Sequence, residues 1–203
     1  MVLILAPHPD DETLGCGGVI ALHAAQGDSV TVIIATDGGS GDPEGRYGDA
    51  DFLELRQAES RNAAEILGVT SLQFWGYPDG KLAEASDLVD RISEAIRTIQ
   101  PALVYYPSIK DVHPDHWALA VAVNRAREQY RGEVAAYAYE IWAPVQPTHV
   151  VDISAVWELK QKAIEQYQSQ LGYNDYLHKI SGLNAYRAIH LPSARYVEAF
   201  EAG

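Results

Sequence analysis

His8-Pro9-Asp10-Asp11-Glu12 puts one imidazole and three carboxylates directly after the apolar run Val2–Ala6. His113-Pro114-Asp115-His116 repeats the arrangement, with two imidazoles, after Leu103–Tyr106. Imidazole plus carboxylate is ordinary zinc chemistry, and two histidines with one carboxylate leave a fourth position for water. The same set could hold iron(II) as a facial triad, so residue types leave the metal open between Zn2+ and Fe2+. Adjacent side chains point apart, so Asp10 and Asp11 cannot both grip one ion. One binds it and the other faces the bound water. A water of lowered pKa beside a carboxylate base is a hydrolytic arrangement. Asp115, two residues from His113, could orient that imidazole or hold it protonated to stabilise an oxyanion. Either segment alone reads equally well as surface histidines and helix caps. Both at equivalent positions argue for a site.

Those positions follow from the elements. Val2–Ala6, Ser29–Ala35, Ser71–Trp75 and Leu103–Tyr106 are short apolar runs that predict buried strands. Thr13–Gln26, Asp51–Leu67, Leu88–Ile99 and His116–Tyr130 predict the helices between and after them. The alternation predicts an α/β fold, a Rossmann-like three-layer sandwich with a mostly parallel central sheet. Right-handed crossovers put every strand's C-terminal end on one rim, where ligands bind. Pro7–Glu12, the glycine-rich loop Thr36–Ala50, the Trp75–Gly80 turn and Ser108–His116 converge there. Val134–Tyr139 and His149–Val151 predict further strands. Ser154–Leu171 predicts a helix capped near Asp152 or Ser154, and Tyr176–Ile189 a last helix bent near Gly182. The expectation is one catalytic domain over 1–203. Its core is 1–130, and 131–203 form a wall, lid or subunit contact.

Composition narrows the partners. The chain has 203 residues, 28 acidic and 15 basic, for a net charge of -13. That excess repels phosphate backbones and anionic membrane surfaces, which disfavours nucleic acid and membranes as partners. Cys16 is the single cysteine, so no intramolecular disulfide forms and a cytoplasmic setting fits. Met1–Ala6 is too short for a signal h-region and lacks a basic flank, so the chain is expected to be mature from Met1.

HPDDE followed by Gly15-Cys16-Gly17-Gly18, together with the distant HPDH, resembles the LmbE/PIG-L family of zinc-dependent carbohydrate de-N-acetylases. Arg56-x-x-Glu59 and Gly76-Tyr77-Pro78-Asp79-Gly80 resemble two further family motifs. Val151-Asp152-Ile153-Ser154, the Lys162…Ser169-Gln170 helix and Glu198-Ala199-Phe200 resemble its C-terminal signatures. The resemblance implies His8, Asp11 and His116 as zinc ligands and Asp10 as general base. It implies His113 as the group that steadies the tetrahedral intermediate, with Asp115 as its partner, and Arg56 as a substrate contact. It also implies a Rossmann-like fold without a nucleotide, assembly into homo-oligomers (trimers or hexamers), and N-acetylated sugars or conjugates as small-molecule substrates. The loop Thr36-Asp37-Gly38-Gly39-Ser40-Gly41 departs from the family pattern where the sugar wall is expected.

Weaker candidates surround this set. Arg46 and Tyr47, in the glycine loop, could contact a substrate hydroxyl or phosphate. Glu140, at a strand end, is a candidate substrate contact. Trp75 and Tyr77 could stack on a sugar ring. Arg56 lies on a helix whose other charged residues, Glu54, Glu59 and Arg61, make room for salt bridges at i,i+3 and i,i+4. The Gly15-x-Gly17-Gly18 run lacks the dinucleotide fingerprint and predicts close packing instead. The functional expectation is a zinc-dependent N-deacetylase. The alternatives are a deacylase of non-sugar amides and a non-catalytic sugar- or metal-binding protein.

Overall fold

The computed structural model describes residues 1–130, 132 and 134–203. Four βα units come first. They are β1 (Val2–Ala6) with α1 (Asp11–Ala25), β2 (Val30–Thr36) with α2 (Asp49–Leu67), β3 (Ser71–Tyr77) with α3 (Leu88–Ile99), and β4 (Leu103–Pro107) with α4 (Pro114–Gln129). Then follow β5 (Ala135–Tyr139), β6 (His149–Asp152), α5 (Trp157–Ile164), α6 (Gln168–Leu171), α7 (Tyr176–Arg187) and β7 (Val197–Ala202).

The strands form one sheet in the order β3-β2-β1-β4-β5-β7-β6. Pairing is parallel from β3 through to β5 and antiparallel on both sides of β7. The α/β sandwich with a mostly parallel sheet is therefore as expected. The chain reverses its direction of winding between β1 and β4, which pair through Val2–Ile4 and Leu103–Tyr105. The loops after these two strands diverge to opposite faces and leave a crevice at their carboxyl ends. Both histidine segments leave the sheet there.

Alternation along each strand divides the core in two. Val2, Ile4 and Ala6 join Val32 and Ile34 on one face, against α1, α2 and α5. Leu3 and Leu5 join Ile33 and Val104 on the other, against α3 and α4. Period-2 strands buried on both faces need apolar residues at every position, and β1 and β2 are buried throughout.

The later elements differ from expectation. β7 was not anticipated, because its Glu198 interrupts an apolar run. That carboxylate is 1% exposed. It accepts Gly18 N and Val19 N of α1 and pairs with Lys160 Nζ at 2.6 Å. The lysine that α5 turns inward is thus Lys160, and Lys162 is exposed. Ser154–Leu171 is not one helix. It breaks between α5 and α6, where Tyr167 sends its hydroxyl to Glu12. Ser154 does not cap α5. Its Oγ accepts Arg195 N and Tyr196 N, and the N-cap is Val156. α7 passes through Gly182 without a break. α2 begins at Asp49, and Gly39–Gly41 makes a 3₁₀ turn, so the glycine loop is shorter than predicted. Among the described residues, no helix is long and apolar enough to cross a membrane.

Candidate metal centre

β1 ends at Ala6, and the chain turns through Pro7–Pro9 into α1. Asp10 takes φ 126°, a left-handed value that costs a residue with a Cβ about 1–3 kcal/mol. Surrounding contacts hold it there. Asp10 N donates to Glu12 Oε2, and Asp10 O accepts Thr13 N and Leu14 N. Gly38 crosses Pro9 so closely that a Cβ would lie 2.8 Å from Pro9 Cδ, and its φ of 68° also suits glycine. The strained turn separates the directions of Asp10 and Asp11.

Three donors meet at one point. Asp11 Oδ2 lies 2.9 Å from His8 Nδ1 and 3.2 Å from His116 Nε2, and the two imidazole nitrogens are 3.3 Å apart. Ligands about 2.0–2.1 Å from a tetrahedral ion stand about 3.3–3.4 Å from one another, so the spacing fits Zn2+ closely. His8, His113 and His116 also bring one ring nitrogen each within 4.8 Å, as do His8, Asp79 and Asp115 as a second group. These His/Asp clusters can coordinate a divalent metal such as Zn2+.

The atoms behind the donors fit the same reading. His8 Nε2 lies 3.1 Å from Asp115 Oδ2 and 3.2 Å from Asp79 Oδ1. His116 Nδ1 lies 3.2 Å from Asp111 Oδ2. Each imidazole has a carboxylate beside the far nitrogen. At His8 the contact is a hydrogen bond that fixes the proton on Nε2, while His116 Nδ1 has the Asp111 charge beside it but no hydrogen-bond partner among the described residues. Burial alone would lower both histidine pKa values. The contacts with Asp11, Asp115 and Asp79 outweigh it at His8, and Asp11 and Asp111 push His116 up to about 9. Burial disfavours ionised Asp11 as well, yet His116 and His8 hold its carboxyl far below the usual range. The cluster is built to hold positive charge, by protons or by a cation.

Asp10, beside this group, behaves oppositely. Burial pushes its carboxyl up to about 8, against the pull of Arg56 and with the aid of Asp11 and Glu12. His113 caps α4, its Nδ1 accepting Asp115 N at 3.3 Å. Burial and the neighbouring His8 and His116 lower its pKa. Here the expected partnership is corrected. The Asp115 carboxylate does not hold His113 protonated, because its oxygens go to His8 Nε2, Gly80 N and Leu82 N. Only the Asp115 backbone addresses His113. Glu12 is 3% exposed, accepts the Tyr167 hydroxyl at 2.5 Å and is pushed up by burial to about 7.

A cavity of about 420 Å³ opens over the cluster, with His8, Asp10, Asp11, Asp79 and His113 on its inner side. A larger hollow of about 560 Å³ near Lys110, Arg127 and Gly203 has no histidine in its lining. Arg56 reaches the inner cavity from α2. It is 2% exposed, donates to Pro9 O and lies 3.4 Å from Asp10 Oδ2. Its Nε and Nη1 have no hydrogen-bond partner among the described residues. Glu59 is not its partner, because both Glu59 oxygens accept from Ser169.

The other candidates fall outside. Glu140 is a correction: its carboxylate takes the Arg187 guanidinium and Val145 N, a buried structural pair away from the cavity lining. Arg46 pairs with Glu44 and lies over the Tyr173 ring, while Tyr47 stacks on Phe52. Both stand behind the cavity wall. Trp75 and Tyr77 pack under Arg91. Cys16 is buried, and burial raises its thiol pKa.

A search of the sequence for histidine segments passes over Asp79 and Asp111. Asp79 sits in a Pro-Asp-Gly turn and Asp111 between a lysine and a valine, so each reads as a loop former. The rim position of the Asp79 turn was the available signal. Trp142, which also lines the cavity, stands out only as an aromatic near a strand end, with Trp117 and Trp157 as equals, and Tyr176 gave no signal.

Known proteins share this arrangement of elements. Residues 3–127 match the family described as PIG-L, GlcNAc-PI de-N-acetylase. The chain is 30% identical to the 4-oxalmesaconate hydratase of Pseudomonas putida, over 96% of this chain and 84% of that one. It is 32% identical to a probable N-acetyl-alpha-D-glucosaminyl L-malate deacetylase of Bacillus cereus, over 83% of each. The crystal structure of the 4-carboxy-2-hydroxymuconate hydratase of Pseudomonas putida superposes with a TM-score of 0.87 at 26% identity, covering 99% of this chain and 95% of that one. Relatives of one fold thus include both hydrolases and a lyase, and what they have in common with this chain places it in the LmbE/PIG-L family.

Proposed function

We propose that the protein is a metal-dependent hydrolase that removes the N-acetyl group from an N-acetylglucosamine-type sugar or conjugate, with 1–203 acting as one catalytic unit. One observation carries the reading. His8 Nδ1, Asp11 Oδ2 and His116 Nε2 converge within 3.3 Å, and the Asp10 carboxylate lines the same cavity beside them, 3.4 Å from Arg56. A divalent ion such as Zn2+ held there would polarise the acyl oxygen and supply a nucleophilic water at neutral pH.

The chain's own groups do the rest. Asp10 accepts the proton of the attacking water. His113, neutral and accepting at Nδ1, carries its proton on Nε2 and donates to the oxygen where charge builds. Asp10 passes the water's proton to the leaving nitrogen, the C–N bond breaks, and the hydroxyl proton of the new carboxyl group goes to the free amine, giving acetate and a protonated amine while His113 keeps its own proton. Arg56, which lines the cavity beside Asp10, is the cation that would meet a further substrate oxygen.

The test is acetate release from N-acetylglucosamine and diacetylchitobiose by zinc-loaded protein. Asp10→Ala should abolish release with metal content unchanged. Full activity in that variant would overturn the assignment. N-acyl amines without a ring separate sugar from other amides.

A second reading is hydration of a small unsaturated carboxylate. The hydratase relative favours it, with Arg56 in the cavity lining as the cation that would meet a carboxylate. Loss of ultraviolet absorbance from a conjugated enol acid, with no acetate from any amide, would decide for it.

A further inference from the structure

The cavity lining is of two chemical kinds. Ionisable groups make one, as described. Trp142, Tyr173 and Tyr176, together with the polar residues Ser40, Gln170 and Asn174, make the other. Trp142 is 53% exposed, a large apolar surface left open at the mouth of a pocket. Its backbone is nonetheless anchored. Trp142 N donates to Asp111 Oδ2 at 3.0 Å, and that same oxygen lies 3.2 Å from His116 Nδ1. The backbone that carries the indole is therefore tied to the donor cluster. Its ring and that of Tyr176 stand at 88° with centroids 6.5 Å apart, which makes a corner and not a sandwich.

A corner of this kind accepts a ring whose flat face is apolar and whose edge is polar. The face lies on one aromatic ring, its edge meets the other, and amide and hydroxyl groups take the polar substituents. A pyranose has that shape, with C–H bonds on its faces and hydroxyls at its equator. A linear dicarboxylate would instead need a second cation. Arg56 is the one arginine or lysine lining the cavity among the described residues, and it lies beside Asp10. Arg46, behind the Tyr173 ring, is tied to Glu44.

We propose that Trp142 and Tyr176 form a subsite for the sugar ring of the amine half of the substrate, with Ser40, Gln170 and Asn174 meeting its hydroxyls. The proposal rests on the deacetylase reading for its orientation, amine half outward and acyl group inward. The subsite sets which amine is accepted.

The experiment is calorimetric titration of the zinc-loaded protein with glucosamine and its β-1,4-linked dimer, amines that cannot be deacetylated. Acetate release is measured alongside. Trp142→Ala should weaken Kd about tenfold, Trp142→Phe should stay within about threefold of the starting protein, and Tyr176→Leu should fall between. Thermal midpoints check that each variant folds. Equal Kd in Trp142→Ala and the starting protein, or no heat from either amine, would overturn the subsite. Trp142-dependent binding without acetate release from any amide defeats the deacetylase reading and keeps the subsite. Acetate release with a KM indifferent to Trp142→Ala does the reverse.

Discussion

The strand ends of β1 and β4 and the segment from β6 onward meet at α1, and they do so by opposite means. The first places its chemistry locally. A buried strand ends, a proline turns the chain, and a helix begins within five residues of the ligand histidine. The second contributes no histidine to the cluster and works at long range. Lys160 and Glu198 reach the glycine face of α1, Tyr167 reaches Glu12, and Ser169 reaches Glu59. Reactive groups thus come from short motifs, while their precision of placement comes from residues more than a hundred positions away in the chain. The two regions should fail differently when damaged.

Damage to the first should destroy chemistry and leave the fold. His116→Ala removes one of the three converging donors, so bound zinc, measured by elemental analysis after dialysis, should be lost together with turnover. Asp10→Ala should keep the metal and lower turnover by about 10²–10⁴-fold, the range for losing a positioned base. Both should unfold cooperatively in urea. A His116→Ala protein that keeps its zinc would shift the ligand set toward His8, Asp79 and Asp115.

Damage to the second should reach stability first. Lys160 is 0% exposed, and its Nζ donates to Leu14 O, Asn184 Oδ1 and Glu198 Oε1. Lys160→Met leaves Glu198 buried without a counter-charge, a loss of about 3–5 kcal/mol. Adding Glu198→Gln removes the orphaned charge but keeps an acceptor for Gly18 N, so the double variant should regain part of the loss. Urea midpoints measure both. A single variant as stable as the starting protein would mean that the pair contributes nothing.

This difference also explains what the sequence made legible. β1, β2 and β4 announce themselves because strands buried on both faces are continuous apolar runs, and α3 because its apolar residues recur at helical spacing. Val197–Ala202 hides because it carries Glu198 into the core, and its partner lies on α5. The ligand histidines stand in dense motifs. The carboxylates behind them do not, and no local spacing tells that Asp115 serves His8 and that Asp111 serves His116. Glu140 misleads for the same reason. A strand-end carboxylate looks functional until Arg187, 47 positions on, is seen to occupy it.

Asp111 ties the first region to the connection between β5 and β6, since it lies against His116 and accepts Trp142 N. Its Oδ1 also accepts His113 N. Asp111→Asn keeps the size and one of the two backbone contacts, to His113 N or to Trp142 N, and removes the carboxylate charge beside the His116 ring. Loss of a carboxylate behind a ligand histidine lowers metal affinity about 10–100-fold. Chelator competition should find that loss with little change in the urea midpoint. An unchanged affinity would leave Asp111 as a loop brace only.

The gentlest probe is the glycine face of α1, where the C-terminal segment presses on the helix that carries Asp11. Alanine is worth about 1 kcal/mol over glycine inside a helix, so each substitution begins with a gain. At Gly17 the new Cβ would lie 3.0 Å from Lys160 Cγ, on a buried stem whose Nζ is held by three hydrogen bonds, so the crowding is mild but has little room to relax. Gly17→Ala should therefore change stability least of the three. At Gly18 it would lie 2.5 Å from Ile153 Cγ2 and 2.9 Å from Glu198 Oε1, and a branched side chain yields less. At Gly15 it would lie 2.3 Å from the ring of Tyr139, which is fully buried and anchored through its hydroxyl to Leu5 O. Overpacking typically costs about 1–3 kcal/mol, enough to cancel the helical gain at Gly18 and exceed it at Gly15. Urea midpoints should therefore fall in the order Gly17→Ala, Gly18→Ala, Gly15→Ala. A flat series would mean that α1 can slide away from the C-terminal segment. In that case the long-range contacts would follow the position of Asp11 and not fix it.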